Sequence, residues 1–102
     1  MITITSRDNA ITIEGHAKYA PNGYDIVCAG ISTLVQNLVQ SLNELTTEQF
    51  NYDMKPGMVH INLKNKNLSK DAQLLLSSFF IGARAIASSY PKHVKIEQAW
   101  NS

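Results

Sequence analysis

The chain has 102 residues, a length that suits one domain with a single hydrophobic core. Its hydrophobic fraction of 44% excludes a disordered protein, and its formal net charge of +1 argues against a general attraction to nucleic acid or to an anionic membrane. The single cysteine cannot form an intramolecular disulfide, so the composition fits a reducing cytoplasm. Neither a signal-peptide pattern nor an apolar run of membrane-spanning length is recognisable. We therefore expect one domain over 1–102, located in the cytoplasm.

The N-terminal segment has the alternation of a β-hairpin. Apolar residues alternate with polar ones over 2–5 and again over 11–14, which predicts two half-buried strands. His16 follows in phase with the polar residues of the second strand, so it is expected to project away from the core unless Gly15 breaks the phase. A histidine in this place is either a functional group or an ordinary solvent-facing side chain.

A loop and a long amphipathic helix follow the hairpin. The segment 17–24 is typical of a loop, because Pro21 favours an extended neighbour and Asn22-Gly23 favours a tight turn, and we expect it to lack a regular hydrogen-bonding pattern. Asp25 is a good helix N-cap, which places Cys28 at the third helical position. The helix then carries an apolar stripe at spacings of three and four that is expected to face the core: Val27, Ile31, Leu34, Val35, Leu38, Leu42 and Leu45.

The second half of the chain repeats the order of hairpin and helix. Alternation over 50–54 and 59–63 predicts a second hairpin, a helix is expected from an N-cap at Ser69 to about Ser89, and a short strand precedes a tail with Trp100. Because each strand offers one apolar face, we expect an α/β two-layer sandwich, with a mixed or antiparallel sheet of about five strands and two helices on one face. The apolar positions of the second hairpin's first strand are Phe50, Tyr52 and Met54.

The residues with the most reactive chemistry lie around the loop. A thiol near the start of a helix meets the positive end of the helix dipole, which favours the thiolate, although a carboxylate at Asp25 opposes this effect. His16, twelve residues before Cys28, can supply a base. Taken separately, a lone cysteine is usually a small buried apolar residue and a lone histidine an ordinary polar one. His60 and His93 share no recognisable metal-ligand spacing with this pair, so no metal or other cofactor is expected.

Several short sequence motifs occur around this loop and near the end of the chain. They are Gly15-His16-Ala17, Gly23-Tyr24-Asp25-Ile26-Val27-Cys28-Ala29, Ser32, Gly82-Ala83-Arg84-Ala85-Ile86-Ala87, Tyr90-Pro91 and Val94-Lys95-Ile96. Together they resemble the signature of the ribosomal-processing cysteine protease family, often called Prp or YsxB-like. The resemblance extends to a final helix and strand and thus covers most of the chain.

The resemblance implies a bacterial hydrolase of the cytoplasm that acts in ribosome biogenesis. It would be a cysteine endopeptidase that removes the N-terminal extension of the twenty-seventh protein of the large ribosomal subunit by thiolate acyl transfer. Cys28 would be the nucleophile and His16 the base of a Cys/His dyad. The other members of the signature, in supporting positions, are Asp25, Ser32, Gly15 and Gly23. The resemblance also points to a homodimer, for which small size and Trp100 are reasonable grounds, with no direct nucleic acid or membrane partner.

Several alternatives remain open at this point. A non-catalytic ribosome-associated binding module on the same fold would carry the same residues, and a homologue borne by a bacteriophage would process a capsid protein instead. A thiol-based redox protein is less favoured, because it would need a resolving cysteine. Asp25 can either cap the helix or orient His16. Gly30 indicates close approach, either by a neighbouring helix or by a bound peptide.

Overall fold

Residues 1–98 are described by a computed structural model, and they form two helices and five strands. The N-cap positions predicted at Asp25 and Ser69 are confirmed, because each side chain accepts hydrogen bonds from the first turn of its helix. Trp100 lies outside the described residues. The elements are β1 (Ile2–Arg7), β2 (Ala10–Glu14), α1 (Ile26–Leu45), β3 (Phe50–Lys55), β4 (Met58–Leu63), α2 (Lys70–Ser89) and β5 (Val94–Gln98).

The five strands form one mixed sheet in the order β3-β4-β2-β1-β5. All neighbours are antiparallel except β1 and β5, which run parallel. The parallel pair follows from the connection after β4. A helix of 20 residues, about 30 Å long, returns the chain to the end of the sheet from which β4 started, so β5 must run in the same direction as β4 and β1. Of the two sheet types expected, the mixed one is therefore correct.

The core lies between the sheet and the two helices. Ile4 of β1, Ile61 of β4 and Leu42 of α1 have no solvent exposure, and Leu76 and Phe80 of α2 pack in the same cluster. The opposite face of the sheet carries polar side chains, such as Thr12 and His60. The structure confirms the two-layer α/β sandwich with both helices on one face.

The helices pack closely against each other through small residues. An added Cβ at Gly30 of α1 would lie 3.1 Å from the Cδ1 atom of Ile86 on α2, so the neighbouring helix accounts for this glycine. The predicted stripe of α1 is wrong at one end, because Leu45, in the last position of the helix, is exposed. Val39, which the stripe omitted, is buried in the core.

The strand β3 departs most from the sequence prediction. Tyr52 and Met54 were expected to be core residues, but their exposed fractions are 55% and 41%. They pair with Ile61 and Val59 of β4, so their side chains face the helix layer. Because β3 is an edge strand, no helix covers them fully. This edge of the sandwich is open on the helix side.

The helix α2 has an apolar surface beyond its core face. By length and composition it is the one helix in 1–98 that is apolar enough to cross a membrane, with a mean hydropathy of 1.2, a criterion that core helices also meet. Phe79 and Phe80 bury part of this helix in the core. Leu74 and Ile81, seven residues apart, are exposed at 68% and 62%. They form an apolar strip on the outside of the helix.

Candidate active site

Cys28 lies in the first turn of α1, as predicted, and its side chain is partly buried. The loop before the helix folds back over the thiol, so the backbone N–H of Ala17 donates to Sγ at 3.4 Å. The backbone N–H of Cys28 itself donates to Oδ1 of Asp25 at 3.0 Å. An N–H donor beside the sulfur stabilises negative charge on it.

Backbone contacts at Gly15 and at His16 itself fix the position of His16. Gly15 has φ +94°, and an added Cβ there would collide with the carbonyl oxygen of Met1, so only glycine fits. The Gly15 N–H donates to the Gly57 carbonyl at 2.8 Å, and the Met1 nitrogen donates to the His16 carbonyl oxygen at 2.6 Å. Gly15 thus ends the alternation of β2, and His16 takes its position from three separate segments of the chain.

The imidazole of His16 packs against the turn that joins β3 to β4. An added Cβ at Gly57 would lie 2.8 Å from Nε2 of His16, and Gly57 has φ +76°. Glycine is therefore required at this position both by the turn and by the ring above it. In the sequence, Pro56-Gly57 predicts only a turn, so nothing in it indicated this contact.

His16 and Cys28 line the same cavity, which has a volume of about 400 Å³. Gly15 and Ser32 also line it, and its walls are otherwise mainly apolar. Among the described residues no hydrogen bond joins the His16 ring to Sγ. The main apolar side chains in the walls are Ile13, Ile31, Val35, Met54 and Val59.

A second depression lies on the other side of the thiol. His16, Cys28 and Ser32 line this one too, together with Asp25 and Gly23. Between them, the two neighbouring depressions are lined by all six residues expected to be catalytic or supporting. Gly23 has φ +90° and open space where a Cβ would be, so the turn alone explains this glycine.

Two roles were left open for Asp25, which could cap the helix or orient His16. Its hydrogen bonds distinguish between them. Its carboxylate accepts four backbone N–H groups, from Val27 and Cys28 in the helix and from Tyr19 and Ala20 in the loop. These bonds, that of Cys28 foremost, hold the pKa of Asp25 below its usual value. The stability that they contribute is present above the ordinary carboxyl pKa and is lost as the pH falls through the lowered one. Asp25 thus caps the helix and fastens the loop.

The loop 17–24 has more partners than expected. Besides the bonds to Asp25, the Tyr24 N–H donates to the Pro21 carbonyl at 2.9 Å, and His93 Nδ1 lies 2.8 Å from the Ala17 carbonyl oxygen. The ring of Tyr19 makes edge contacts with the rings of Tyr90 and His93. The segment contains neither helix nor strand, as expected of a loop, but isolated contacts fasten it at several points. His93 was missed because it follows α2, and no spacing ties it to the loop.

The remaining histidine lies away from the opening. His60 is on the outer face of the sheet, where its Nδ1 is 3.0 Å from Oγ1 of Thr12. In the described range 1–98, no group of three or more His, Cys, Asp or Glu side chains is arranged to hold a metal ion.

Comparisons with known proteins relate this chain to one family. The family model described as cysteine protease Prp matches residues 1–95. The ribosomal processing cysteine protease Prp of Staphylococcus aureus is 32% identical over 88 residues, 84% of this chain and 82% of the relative. The relative of that name from Mycoplasma genitalium is 32% identical over 98 residues, 96% of each chain. A crystal structure of the S. aureus protease with a covalently linked product peptide superposes with a TM-score of 0.88, at 29% identity, over 96% of this chain and 99% of that one. The chain therefore belongs to the cysteine protease Prp family.

Proposed function

We propose that this protease removes the N-terminal extension from the twenty-seventh protein of the large ribosomal subunit, with Cys28 and His16 as its catalytic dyad. The observation that carries the proposal is that the only thiol and His16 together line two neighbouring open depressions. The names of the relatives, ribosomal processing cysteine protease, support the substrate class. In this proposal the whole chain, 1–102, forms a single cysteine-protease domain.

The proposed reaction is acyl transfer through a thioester. His16 takes the thiol proton of Cys28, and the thiolate attacks the scissile carbonyl carbon. The tetrahedral intermediate collapses, the C–N bond breaks, and the leaving amine takes its proton from the imidazolium of His16. Water, deprotonated by His16, then hydrolyses the thioester, which releases the acid product and restores the thiol.

The oxyanion donor in this scheme comes from the loop. N–H groups of the helix N-terminus and of the loop are both candidates for this role, but those of Val27 and Cys28 in the helix are bonded to Asp25. The Ala17 N–H is directed at the sulfur instead, 3.4 Å from Sγ. When the thiolate attacks the carbonyl carbon, the carbonyl oxygen develops its negative charge close to that N–H, which can then donate to the oxygen as the C–S bond forms.

The apolar cavity supports a substrate with a hydrophobic segment next to the scissile bond. Isoleucine, valine and methionine side chains make up much of its lining, and Lys55 is the one lysine, arginine or acidic side chain among the described residues that line it. A large apolar or aromatic side chain would displace water from this surface and gain about 1.5–3 kcal/mol on full burial. The family resemblance suggests that the extension is hydrophobic and contains aromatic residues, and such a segment would suit this cavity.

Incubation with the full-length ribosomal protein precursor tests the proposal. We expect a single cut near the N-terminus, seen by intact-mass spectrometry as loss of a short hydrophobic segment, and no cut in the mature protein. A phage capsid protein serves as the second substrate. Cleavage of the capsid protein alone would contradict the proposal and indicate a function in phage assembly. Tight binding of the precursor without any cleavage would also contradict it and would indicate a binding module.

We also propose that the protein acts as a homodimer in the cytoplasm. A reducing compartment keeps a lone catalytic thiol free, and ribosomal precursors are found there. The exposed strip of Leu74 and Ile81 on α2 supports a second copy as the partner, because paired copies of α2 would cover both residues. Sedimentation should show a dimer for the parent and a monomer for Ile81→Lys. A parent that stays monomeric at every concentration contradicts the dimer.

A further inference from the structure

A groove extends from the cavity at Cys28 along the length of α1. The cavity ends on the helix at Gln36, and a further depression of about 580 Å³ begins one turn later, at Val39 and Gln40. On the opposite wall, Met54 lines the cavity and Tyr52 lines the depression. The two depressions therefore lie end to end between α1 and β3, and we call them together the α1–β3 groove.

The groove is open because β3 lies at the edge of the sheet. Tyr52 and Met54 face the helix layer, yet more than 40% of each side chain is exposed. An edge strand whose inward side chains stay exposed leaves apolar surface that a ligand can cover. Phe50 continues this surface, with its ring centroid 6.2 Å from that of Tyr52.

The dimensions of the groove match an extended polypeptide. From Cys28 to Asn43 the helix rises about 22 Å at ~1.5 Å per residue. An extended chain advances about 3.3 Å per residue, so roughly seven residues would span the distance. A compact small molecule would fill only one of the two depressions.

The chemistry of the helix wall also suits a peptide. Gln36, Gln40 and Asn43 follow each other at spacings of four and three, so their side chains form one row along the groove. An amide side chain both donates and accepts hydrogen bonds, as a peptide group does. The opposite wall offers the rings of Tyr52 and Phe50 to an apolar side chain. A polar row facing an aromatic surface is what an extended, partly apolar chain needs.

We propose that the α1–β3 groove is a distal subsite that binds the substrate polypeptide at residues remote from the scissile bond, with a large apolar side chain packed on Tyr52. The proposal rests on the proposed function, because its occupant is the chain that Cys28 cuts. It adds that the protease reads a segment of about seven residues rather than only the side chains next to the cut. Tyr52 is a specificity residue in this proposal and takes no part in the chemistry.

The test compares Tyr52→Ala with the parent on a nested set of peptides that keep the cleavage site and are shortened from either end. In the parent, kcat/KM should fall about tenfold when the residues that reach Tyr52 are removed, the loss expected for one apolar side chain. Tyr52→Ala should lose about the same factor on the long peptide and nothing on the short one. Leu45→Ala is the matched control, since Leu45 is an exposed apolar residue of α1 that does not line the groove.

Equal activity of parent and Tyr52→Ala on the long peptide would overturn the proposal, as would an equal loss on both peptides. A binding measurement distinguishes a failure of the subsite proposal from a failure of the proposed function. If no peptide is cleaved, the affinity of the long peptide for Cys28→Ser is measured by fluorescence anisotropy with and without Tyr52→Ala. A weaker affinity with Tyr52→Ala supports the subsite, and an unchanged affinity or no binding at all rejects it.

Discussion

Replacing Cys28 with serine is expected to lower the rate of precursor cleavage by about 10³-fold or more, since the nucleophile of a covalent mechanism cannot be replaced by the groups around it. A serine hydroxyl is far less acidic than a thiol, so the same imidazole cannot activate it. The fold should be unaffected, because Oγ of a serine can still accept the Ala17 N–H that now meets Sγ. Cleavage is followed by mass spectrometry and folding by the thermal midpoint.

The single cysteine makes a second readout specific to this position. Iodoacetamide should add one label to the parent, abolish its activity, and leave Cys28→Ser unlabelled. Prior binding of an uncleavable peptide should slow the labelling, because the peptide covers the cavity. If Cys28→Ser cleaved the precursor at a rate near that of the parent, the thiol of Cys28 would not be the nucleophile.

The second large effect is expected at the base. His16→Ala should lower kcat by about 10²–10⁴-fold, the range that a positioned general base contributes. The side chain is exposed, and the bonds that fix its position are made by the backbone of Gly15 and by its own carbonyl, so the stability of the fold should change little. The measurement is single-turnover cleavage at saturating enzyme, which separates chemistry from binding.

Displacing the His16 imidazole should lower the rate of cleavage, as removing it does. In Gly57→Ala a Cβ would stand 2.8 Å from Nε2 of His16, so the ring must shift, and misplacement by about 1 Å can cost roughly 10²-fold in rate. Gly23→Ala is the matched control, because Gly23 also has positive φ but no atom of the described residues 1–98 lies within 4 Å of the added Cβ. Both variants should lose stability through backbone strain. An equal loss of activity in the two would mean that strain, and not the position of His16, is responsible.

Much of the fold could be predicted from the sequence because its signals are local. The alternation in β1 and β2, the stripe of α1 and the caps at Asp25 and Ser69 each depend on residues within a few positions of one another. The position of Cys28 in the first turn follows directly from the cap. Composition identifies the single thiol but leaves three histidines as candidates, and the family signature then indicated His16 as its partner.

The contacts that shape the opening could not be predicted, because they join segments distant in the chain. Gly57 supports the His16 ring across the β2–β4 pair, and His93 reaches the Ala17 carbonyl from beyond α2. Tyr52 fits the pattern of a buried strand residue, but its exposure depends on where the sheet ends. These contacts, and the exposure of Tyr52, depend on how the elements are arranged around the sheet. The sequence pattern of a strand does not specify which strands will be its neighbours.

The bond from the Gly15 N–H to the Gly57 carbonyl links activity to the completion of folding. His16 reaches its place only when β4 has paired with β2, and the thiol only when the loop has closed onto α1. Both events bring together parts of the chain that lie far apart, and contacts of this kind form late and slowly. We therefore expect a nascent or partly unfolded copy, in which these contacts are not yet formed, to lack peptidase activity. During refolding from denaturant, the return of peptide cleavage would mark the moment when the centre of the sheet closes.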